Sequence, residues 1–235
     1  MPEKTPRKPL ENGQILLVDK PKGISSYDAI RRLKKRFPGA KIGHAGTLDP
    51  NASGLLLVGV GSGTKKLTEF LKLPKEYAAE VLFGLRTNTG DVTGRAVATG
   101  DAEHLTIDMV RNAVSELVGK HAYMLPAYSA VKQGGVPLYK KARRGEIVVP
   151  PVREMEVLHA KVEEFSKPDH GTIDCTMTLC GNYALAKVTF YVASGTYIRT
   201  LAEELGKKLK VPATLKELRR IKIGEFKIEN AETVI

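Results

Sequence analysis

Residues 43–56 have the sequence Gly43-His44-Ala45-Gly46-Thr47-Leu48-Asp49-Pro50-Asn51-Ala52-Ser53-Gly54-Leu55-Leu56. The glycines permit backbone conformations that other residues rarely adopt, and Pro50 biases Asp49 toward extended geometry. An apolar run follows at residues 55–58, which is typical of a buried strand. The stretch therefore predicts a tight loop that delivers polar side chains to the start of a buried strand.

Asp49 is the only carboxylate in this loop and is the first candidate for a catalytic residue. For an isolated Asp-Pro pair, an Asx-type turn would be the better interpretation. His44 and Thr47, however, crowd the same short segment beside several residues that fix the backbone. This crowding favours a functional loop over a simple turn.

The composition bounds the kind of protein. The chain has 235 residues, enough for one large domain or two small ones, and 42% of them are hydrophobic, so it can bury a core. The formal net charge of +11 suits a polyanionic partner, either nucleic acid or an anionic membrane surface. Aromatic side chains are few (8 Tyr, 6 Phe and no Trp), so any stacking on bases must use Tyr, His or Arg.

Other classes of protein are disfavoured by the sequence. Cys175 and Cys180 are the only cysteines, which argues against a disulfide scaffold. A zinc site that adds His159 and His170 is disfavoured, because the cysteine spacing is loose and the segment alternates like a strand. Residues 1–10 are rich in Pro and Lys, and no apolar run approaches the roughly 20 residues of a membrane helix. We therefore expect a cytoplasmic protein without a metal.

Hydrophobic periodicity and turn signals predict an α+β fold, with a mixed, mostly antiparallel sheet flanked by helices and loops. Strands and helices do not alternate regularly, and no internal repeat is visible. Residues 1–12 are predicted to be a flexible basic tail, 84–97 a long polar loop or extended ribbon, and 123–145 an irregular segment. The predicted helices cover 27–37, 65–71, 107–117 and the residues after Gly195, and the predicted strands cover 14–19, 55–58, 76–83, 154–165, 172–179, 185–192 and 218–224.

The helix predicted over 27–37 carries a dense cluster of positive charge. Ser25 or Ser26 is positioned to cap its N-terminus. A solvated helix face is one interpretation of the charges, and contact with RNA is the other. The cluster has five cations within six residues: Arg31, Arg32, Lys34, Lys35 and Arg36.

The loop at 43–56 resembles the signature loop of the TruB family of tRNA pseudouridine synthases. Other segments match further motifs of that family, in the family's order, from about Gln14 to Glu229. Six ordered motifs argue strongly against chance similarity, and they imply the pseudouridine synthase catalytic fold. The other matching segments are Lys20-Pro21-Lys22-Gly23-x-Ser25-Ser26, Lys75-Glu76-Tyr77, Tyr128-Ser129-Ala130-x-Lys132 with Leu138-Tyr139 and Ala142-Arg143, Gly195-Thr196-Tyr197-Ile198-Arg199, and Leu218-Arg219-Arg220.

The resemblance implies isomerisation of uridine to pseudouridine: the glycosidic C–N bond breaks, the uracil turns over, and C5 bonds to the sugar. The reaction needs no metal and no cofactor. Asp49 would be the catalytic carboxylate, since a carboxylate can form and release a covalent intermediate; the sequence leaves open whether it attacks the base or the ribose. By the same resemblance, Arg199 pairs with Asp49 and keeps it ionised. Tyr77 matches the tyrosine that packs on the uracil and helps to move the C5 proton.

The implied substrate is the T arm of tRNA, with uridine 55 of the T loop as the target. The base must leave its stack to reach Asp49, and His44 matches the family residue thought to fill the vacated space. The positions that match the lining of the family's pocket are Lys20, Pro21, Tyr197 and Leu218. The candidate phosphate contacts, each of which could equally be a solvated charge, are Lys132, Arg143, Arg219 and Arg220.

Two departures from the family pattern stand out. Asn88 occupies a position where the family usually carries Asp, while Asp91 is retained. Bacterial members also commonly continue into a small RNA-binding PUA domain. We therefore expect a short form: one catalytic domain over 13–235 with an RNA-binding insert around 84–150, no PUA domain, and a monomeric state.

Two other functions stay open. One is a non-catalytic chaperone that binds and folds tRNA on the same scaffold. Asp49, Tyr77 and Arg199 argue against it, because a pure binder has no need of a buried Asp–Arg pair. The other is a pseudouridine synthase that acts on a different RNA, as the archaeal and eukaryotic relatives do in guide-RNA complexes.

Overall fold

The computed structural model of the protein describes residues 13–167 and 182–233. Short 3₁₀ helices lie at Gly61–Lys66 and Ile228–Asn230. The other elements of the described residues, in chain order, are β1 (Ile15–Lys20), α1 (Ser26–Arg36), β2 (Ile42–Ala45), β3 (Ser53–Val60), α2 (Leu67–Lys72), β4 (Lys75–Phe83), β5 (Leu85–Thr87), β6 (Ala96–Thr99), α3 (Ile107–Ser115), β7 (Gly119–Met124), β8 (Lys132–Gln133), β9 (Val136–Pro137), α4 (Leu138–Arg143), β10 (Val152–Ser166), β11 (Ala184–Val192), α5 (Ile198–Leu209), β12 (Ala213–Ile223), β13 (Phe226–Lys227) and β14 (Glu232–Thr233).

The described residues divide into two units. The first contains the residues up to Lys72 and those from Glu225 on, and the second runs from Leu73 to Gly224. The chain therefore leaves the first unit once and returns to it near its end. No helix in the described part of the chain combines the length and apolarity needed to cross a membrane.

Some of the sequence predictions fall outside the described residues. These are the basic tail at 1–12, the strand at 172–179, which contains Cys175, and Cys180 directly after it. The strand predicted at 185–192 is described, as β11, and it pairs with β10 and with β4.

β3 is the central strand of the first unit. It pairs antiparallel with β1, in a register that places Val18 opposite Leu56, and antiparallel with β2. β14 pairs in parallel with β1. Every residue of β3 after Ser53 is buried. The apolar run that follows the Asp49 segment is therefore a buried strand, as predicted.

α1 covers the sheet of the first unit with its apolar stripe. Ile30 and Leu33 are buried and pack in one cluster with Leu56 and Val58 of β3. The helix begins within one residue of the predicted start. Ser25 and Asp28 form a capping box there: the Ser25 hydroxyl accepts from the Asp28 N–H, and the Asp28 carboxylate accepts from the Ser25 N–H. Ser25, not Ser26, is the cap.

The second unit is built on an antiparallel sheet with the strand order β12-β4-β11-β10-β7. Along β11, Ala184, Ala186, Val188, Phe190 and Val192 are buried, and the residues between them are more exposed. This alternation is what a strand with one core-facing side requires. α5 packs against β12 through its own buried stripe. The prediction of an α+β fold with a mixed, mostly antiparallel sheet is confirmed.

One of the two structures predicted for 84–97, an extended ribbon, is confirmed, because β5 and β6 pair antiparallel. The segment 123–145, predicted to be irregular, contains the short hairpin β8–β9 and the helix α4. α4 buries only Leu138 and has no side-chain cap at Pro137. Its sequence therefore has neither the apolar stripe nor the capping residue that would predict a helix. The helix predicted over 65–71 is a 3₁₀ turn followed by the short α2.

Candidate active site

Asp49 lies in the loop between two paired strands of the first unit. β2 and β3 run antiparallel with Ala45 opposite Leu57, and residues 46–52, which we call the Asp49 loop, connect them. Gly46 opens the loop with φ of 85°, a conformation that side chains other than Gly rarely adopt. His44 lies on β2 opposite Val58, and both His44 and Asp49 are partly exposed.

Hydrogen bonds fix the backbone on both sides of Asp49. The Ser26 hydroxyl accepts from the Leu48 N–H at 2.9 Å and donates to the Leu48 carbonyl at 3.1 Å. The Gly23 N–H donates to the Pro50 carbonyl at 2.8 Å, and the Ala52 N–H donates to the Asp49 carbonyl at 3.0 Å. Because Leu48 and Pro50 flank Asp49, the main chain that carries its carboxylate is held at both ends.

Lys20 braces the turn that makes one of these contacts. Its side chain is 0% exposed, and its ammonium donates to the carbonyls of Pro21 at 2.9 Å and Ile24 at 2.7 Å. That turn carries Gly23, which binds Pro50. Lys20 and Pro21 are thus linked to the Asp49 loop within the first unit.

Tyr77 lies on β4 of the second unit, 9% exposed, opposite Phe190 of β11 and Arg220 of β12. Lys75 is two residues earlier, so it lies on the same face of the strand. The Lys75 ammonium donates to the Leu73 carbonyl at 2.6 Å and to the Ser194 hydroxyl at 3.2 Å. Burial, and then the charge of Arg220, lowers the pKa of Lys75 to about 8.

Arg199 stands in the first turn of α5 and is 5% exposed. Its guanidinium donates to the Thr89 carbonyl at 2.7 Å and to the Tyr128 carbonyl at 3.0 Å. Arg199 therefore ties two loops that are far apart in sequence to the start of one helix. Tyr197 is the residue before the first turn of the same helix and is partly exposed.

The loop that Arg199 holds is closed around Asp91. The Asp91 carboxylate accepts from the Thr89 hydroxyl at 2.9 Å and from the Thr93 N–H at 3.0 Å. Both polar atoms of the Asn88 side-chain amide form hydrogen bonds. The oxygen accepts from the Arg95 N–H at 3.0 Å, and the nitrogen donates to the Tyr128 hydroxyl at 3.3 Å. The Asn88 side chain is thus held in one orientation in this loop.

The structure separates the candidate phosphate contacts by exposure. Lys132 in β8 and Arg143 in α4 are exposed, and the Arg143 guanidinium lies 5.6 Å from the centre of the Tyr139 ring. Arg219 and the pocket candidate Leu218, both in β12, are partly exposed. Arg220 is 1% exposed, which does not fit a contact with a phosphate at the surface.

Two buried residues near the candidate catalytic residues have contacts that the sequence does not predict. From the sequence, Ser26 is only a candidate helix cap and Lys75 is only part of a motif. For Ser26 a signal was available, since the second of two consecutive serines at a helix start is free to bond elsewhere once the first is the cap. Lys75 carried no comparable signal. Among the described residues, no cluster of His, Cys, Asp and Glu forms a candidate metal site.

Comparison with known proteins identifies the family. Residues 33–198 match the model described as "TruB family pseudouridylate synthase (N terminal domain)". The tRNA pseudouridine synthase B of Geobacter sulfurreducens is 39% identical over 217 residues, which are 92% of this chain and 66% of that protein. The tRNA pseudouridine synthase B of Endomicrobium trichonymphae is 38% identical over 217 residues, which are 92% of this chain and 87% of that protein.

Solved structures are similar in fold. A crystal structure of a Cbf5-Nop10-Gar1 complex contains a chain with a TM-score of 0.65 and 27% identity, covering 93% of this chain and 51% of that one. A structure of an H/ACA RNP bound to a substrate RNA containing 2'-deoxyuridine gives a TM-score of 0.64 and 25% identity, covering 94% of this chain and 50% of that one. This chain thus spans about two thirds of the Geobacter relative and half of each of these solved chains. The chain belongs to the TruB family of pseudouridylate synthases.

Proposed function

We propose that this protein is a tRNA pseudouridine synthase that isomerises uridine 55 in the T loop to pseudouridine. Membership of the TruB family supports the reaction, and the relatives at 38–39% identity are named tRNA pseudouridine synthase B. The net charge of +11 supports a nucleic-acid substrate. We further propose that it acts as a monomer on the T arm, in the cytoplasm.

The observation that carries the proposal is the Asp49 loop. A catalytic carboxylate must keep one position while the glycosidic bond breaks and a new C–C bond forms, because misplacement of a reacting group slows the step. Hydrogen bonds from Ser26 and Gly23 fix the residues on either side of Asp49. The Asp49 residue itself remains partly exposed, as access by a substrate requires.

In the proposed reaction Asp49 is the catalytic carboxylate. The C1'–N1 bond of uridine breaks, C1' bonds to C5, and the proton lost from C5 is balanced by the proton gained at N1. No oxidant, reductant or energy source is required. Arg199 is proposed to supply the fixed positive charge that favours the ionised carboxylate, since guanidinium does not lose its proton in proteins.

Tyr77 is proposed to contact the uracil ring and to assist transfer of the C5 proton. A tyrosine ring can stack on a base while its hydroxyl stays available for hydrogen bonding. His44 is proposed to occupy the space left when the target base turns out of its stack. Tyr197, Leu218, Lys132, Arg143 and Arg219 are proposed to bind the substrate.

The experiment is to incubate an unmodified tRNA transcript with the protein and to map pseudouridine along it by carbodiimide labelling and primer extension. The expected result is a single new stop one nucleotide 3' of position 55, absent from a transcript with cytidine at position 55. Tight binding of the transcript without any new stop would favour a non-catalytic chaperone that binds and folds tRNA. Modification of ribosomal RNA but not of the transcript would favour a different RNA substrate.

A further inference from the structure

The exposed face of α1 is strongly basic. The helix, Ser26–Arg36, contains five cations and one carboxylate, and all five cations are exposed. Arg31 forms an ion pair with Asp28 at 2.9 Å, and Arg36 forms one with Glu232 at 2.7 Å. Arg32, Lys34 and Lys35 form no ion pair with any other described residue. Among the described residues, the ion pairs of this surface thus bring two carboxylates to five cations, which leaves an excess of positive charge.

The packing of α1 does not require these cations. The side of the helix that faces the sheet is apolar, with Ala29, Ile30, Leu33 and Phe37 buried. An ordinary solvated helix face mixes both signs of charge, because pairs of opposite charge three or four residues apart stabilise a helix. The only carboxylate on α1, Asp28, is shared between the capping box with Ser25 and the ion pair with Arg31. The excess of charge therefore calls for an anionic partner.

The basic face starts at the Asp49 loop. Ser26, the first residue of α1, makes both hydrogen bonds to Leu48, and the turn before the helix binds Pro50 through Gly23. At about 1.5 Å per residue, Arg32 lies about 9 Å and Lys35 about 14 Å along the helix from Ser26. Each strand of double-helical DNA carries about one charge per 3.4 Å, so about 14 Å corresponds to about four phosphates of a stacked strand.

Tyr27 lies next to Ser26 and is 67% exposed, which is unusual for so large an aromatic side chain. A flat, exposed ring beside a line of cations is the combination that binds unpaired nucleotides, with bases stacked on the ring and phosphates on the cations.

We propose that the basic face of α1, formed by Tyr27, Arg31, Arg32, Lys34 and Lys35, binds the phosphodiester backbone of the substrate RNA close to the target uridine. The inference rests on the proposed function only in taking the substrate to be RNA. It adds an RNA-binding surface on the same unit as Asp49. The positive charge of that surface contributes to the affinity for RNA and not to the chemical step.

The test compares two variants of equal charge. One is Arg32→Gln, Lys34→Gln, Lys35→Gln. The control is Lys120→Gln, Lys161→Gln, Lys207→Gln, which removes three exposed lysines of the second unit, each in a surface ion pair with a glutamate. Surface substitutions of this kind are expected to change stability by about 0.5 kcal/mol or less each, which thermal unfolding will check.

Dissociation constants for an unmodified tRNA transcript are measured at several salt concentrations, and turnover is measured at saturating transcript. For the α1 variant we expect Kd to rise about tenfold or more, the slope of log Kd against log salt to fall by about 2, and saturated turnover to stay within about twofold of wild type. For the control we expect Kd to stay within about twofold of wild type.

Equal weakening by both variants would show that net charge alone matters, and no weakening by either would show that the face is merely solvated; both results overturn the inference. The proposed function is judged separately, by whether the wild-type protein modifies the transcript at all. Wild-type turnover together with an unaltered Kd for the α1 variant would reject the inference and leave the proposed function intact.

Discussion

Ser26 and Ser25 are adjacent residues with separate tasks. Ser25 caps α1, while the hydroxyl of Ser26, itself 2% exposed, is engaged with the N–H and carbonyl of Leu48. Removing either hydroxyl costs hydrogen bonds, but the Ser26 hydroxyl is the one that bonds to the Asp49 loop. The pair therefore offers an internal control for the role of loop positioning.

Ser26→Ala is expected to lower the free energy of unfolding by about 1–3 kcal/mol, because the Leu48 backbone groups lose a buried partner, and to lower kcat at least about tenfold. Ser25→Ala is expected to cost about 1 kcal/mol through loss of the cap, with kcat near wild type. Urea unfolding and single-turnover kinetics measure the two effects. Equal kcat for the two variants would contradict a positioning role for Ser26.

Lys75 makes stability depend on pH. Its pKa, about 8 in the folded protein, lies below the ordinary 10.5, so the unfolded chain binds more protons than the folded one between these values. The free energy of unfolding therefore rises as the pH increases from about 8 to 10.5. Below this range Lys75 is charged in both states, and its buried charge destabilises the folded protein to the full extent. Lys75→Met removes this difference.

From pH 7.5 to 9.5, the wild-type protein is expected to gain about 1–2 kcal/mol of stability more than Lys75→Met, as measured by urea unfolding. The exposed Lys72 provides the control, since Lys72→Met is expected to keep the wild-type pH dependence. Parallel curves for wild type and Lys75→Met would contradict the assignment.

At the scale of elements, the best predictions came from local signals. α1 was predicted to within one residue at each end because Ser25, Asp28 and the apolar spacing all lie within its own sequence. The contacts that hold the loops of the second unit could not be predicted in that way. Arg199 and Thr89 are 110 residues apart, and Asn88 and Tyr128 are 40 apart. Only the folded sheet brings them together, so neither periodicity nor capping signals them.

Arg199 connects the start of α5 to two loops, because the two terminal nitrogens of its guanidinium bind two different carbonyls. This double contact is the feature to test. Arg199→Lys keeps the charge but cannot hold the carbonyls of Thr89 and Tyr128 with one planar group. We expect faster amide hydrogen exchange at residues 88–93 and a fall in kcat of at least about tenfold. Arg95→Lys is the control, since only its backbone is engaged in the same loop. Unchanged exchange in Arg199→Lys would contradict the bracing role.

At the scale of the whole molecule, the sequence predicted the class of partner better than the points of contact. The net charge of +11 favours a polyanion, but charge alone does not distinguish a buried Arg220 from an exposed Arg143. That distinction depends on the side of β12 that faces the core, which the run Leu218-Arg219-Arg220 does not reveal. The catalytic candidates were recognised through motif order, a property of the whole chain.

The central claim is that Asp49 makes this protein a pseudouridine synthase, and tritium release from C5-labelled uridine in an unmodified tRNA transcript tests it most directly. Wild type and Asp101→Asn, which removes an exposed carboxylate, are expected to release tritium at equal rates. Asp49→Asn is expected to release none while binding the transcript with a Kd within about threefold of wild type. Release by Asp49→Asn at the wild-type rate would contradict the claim.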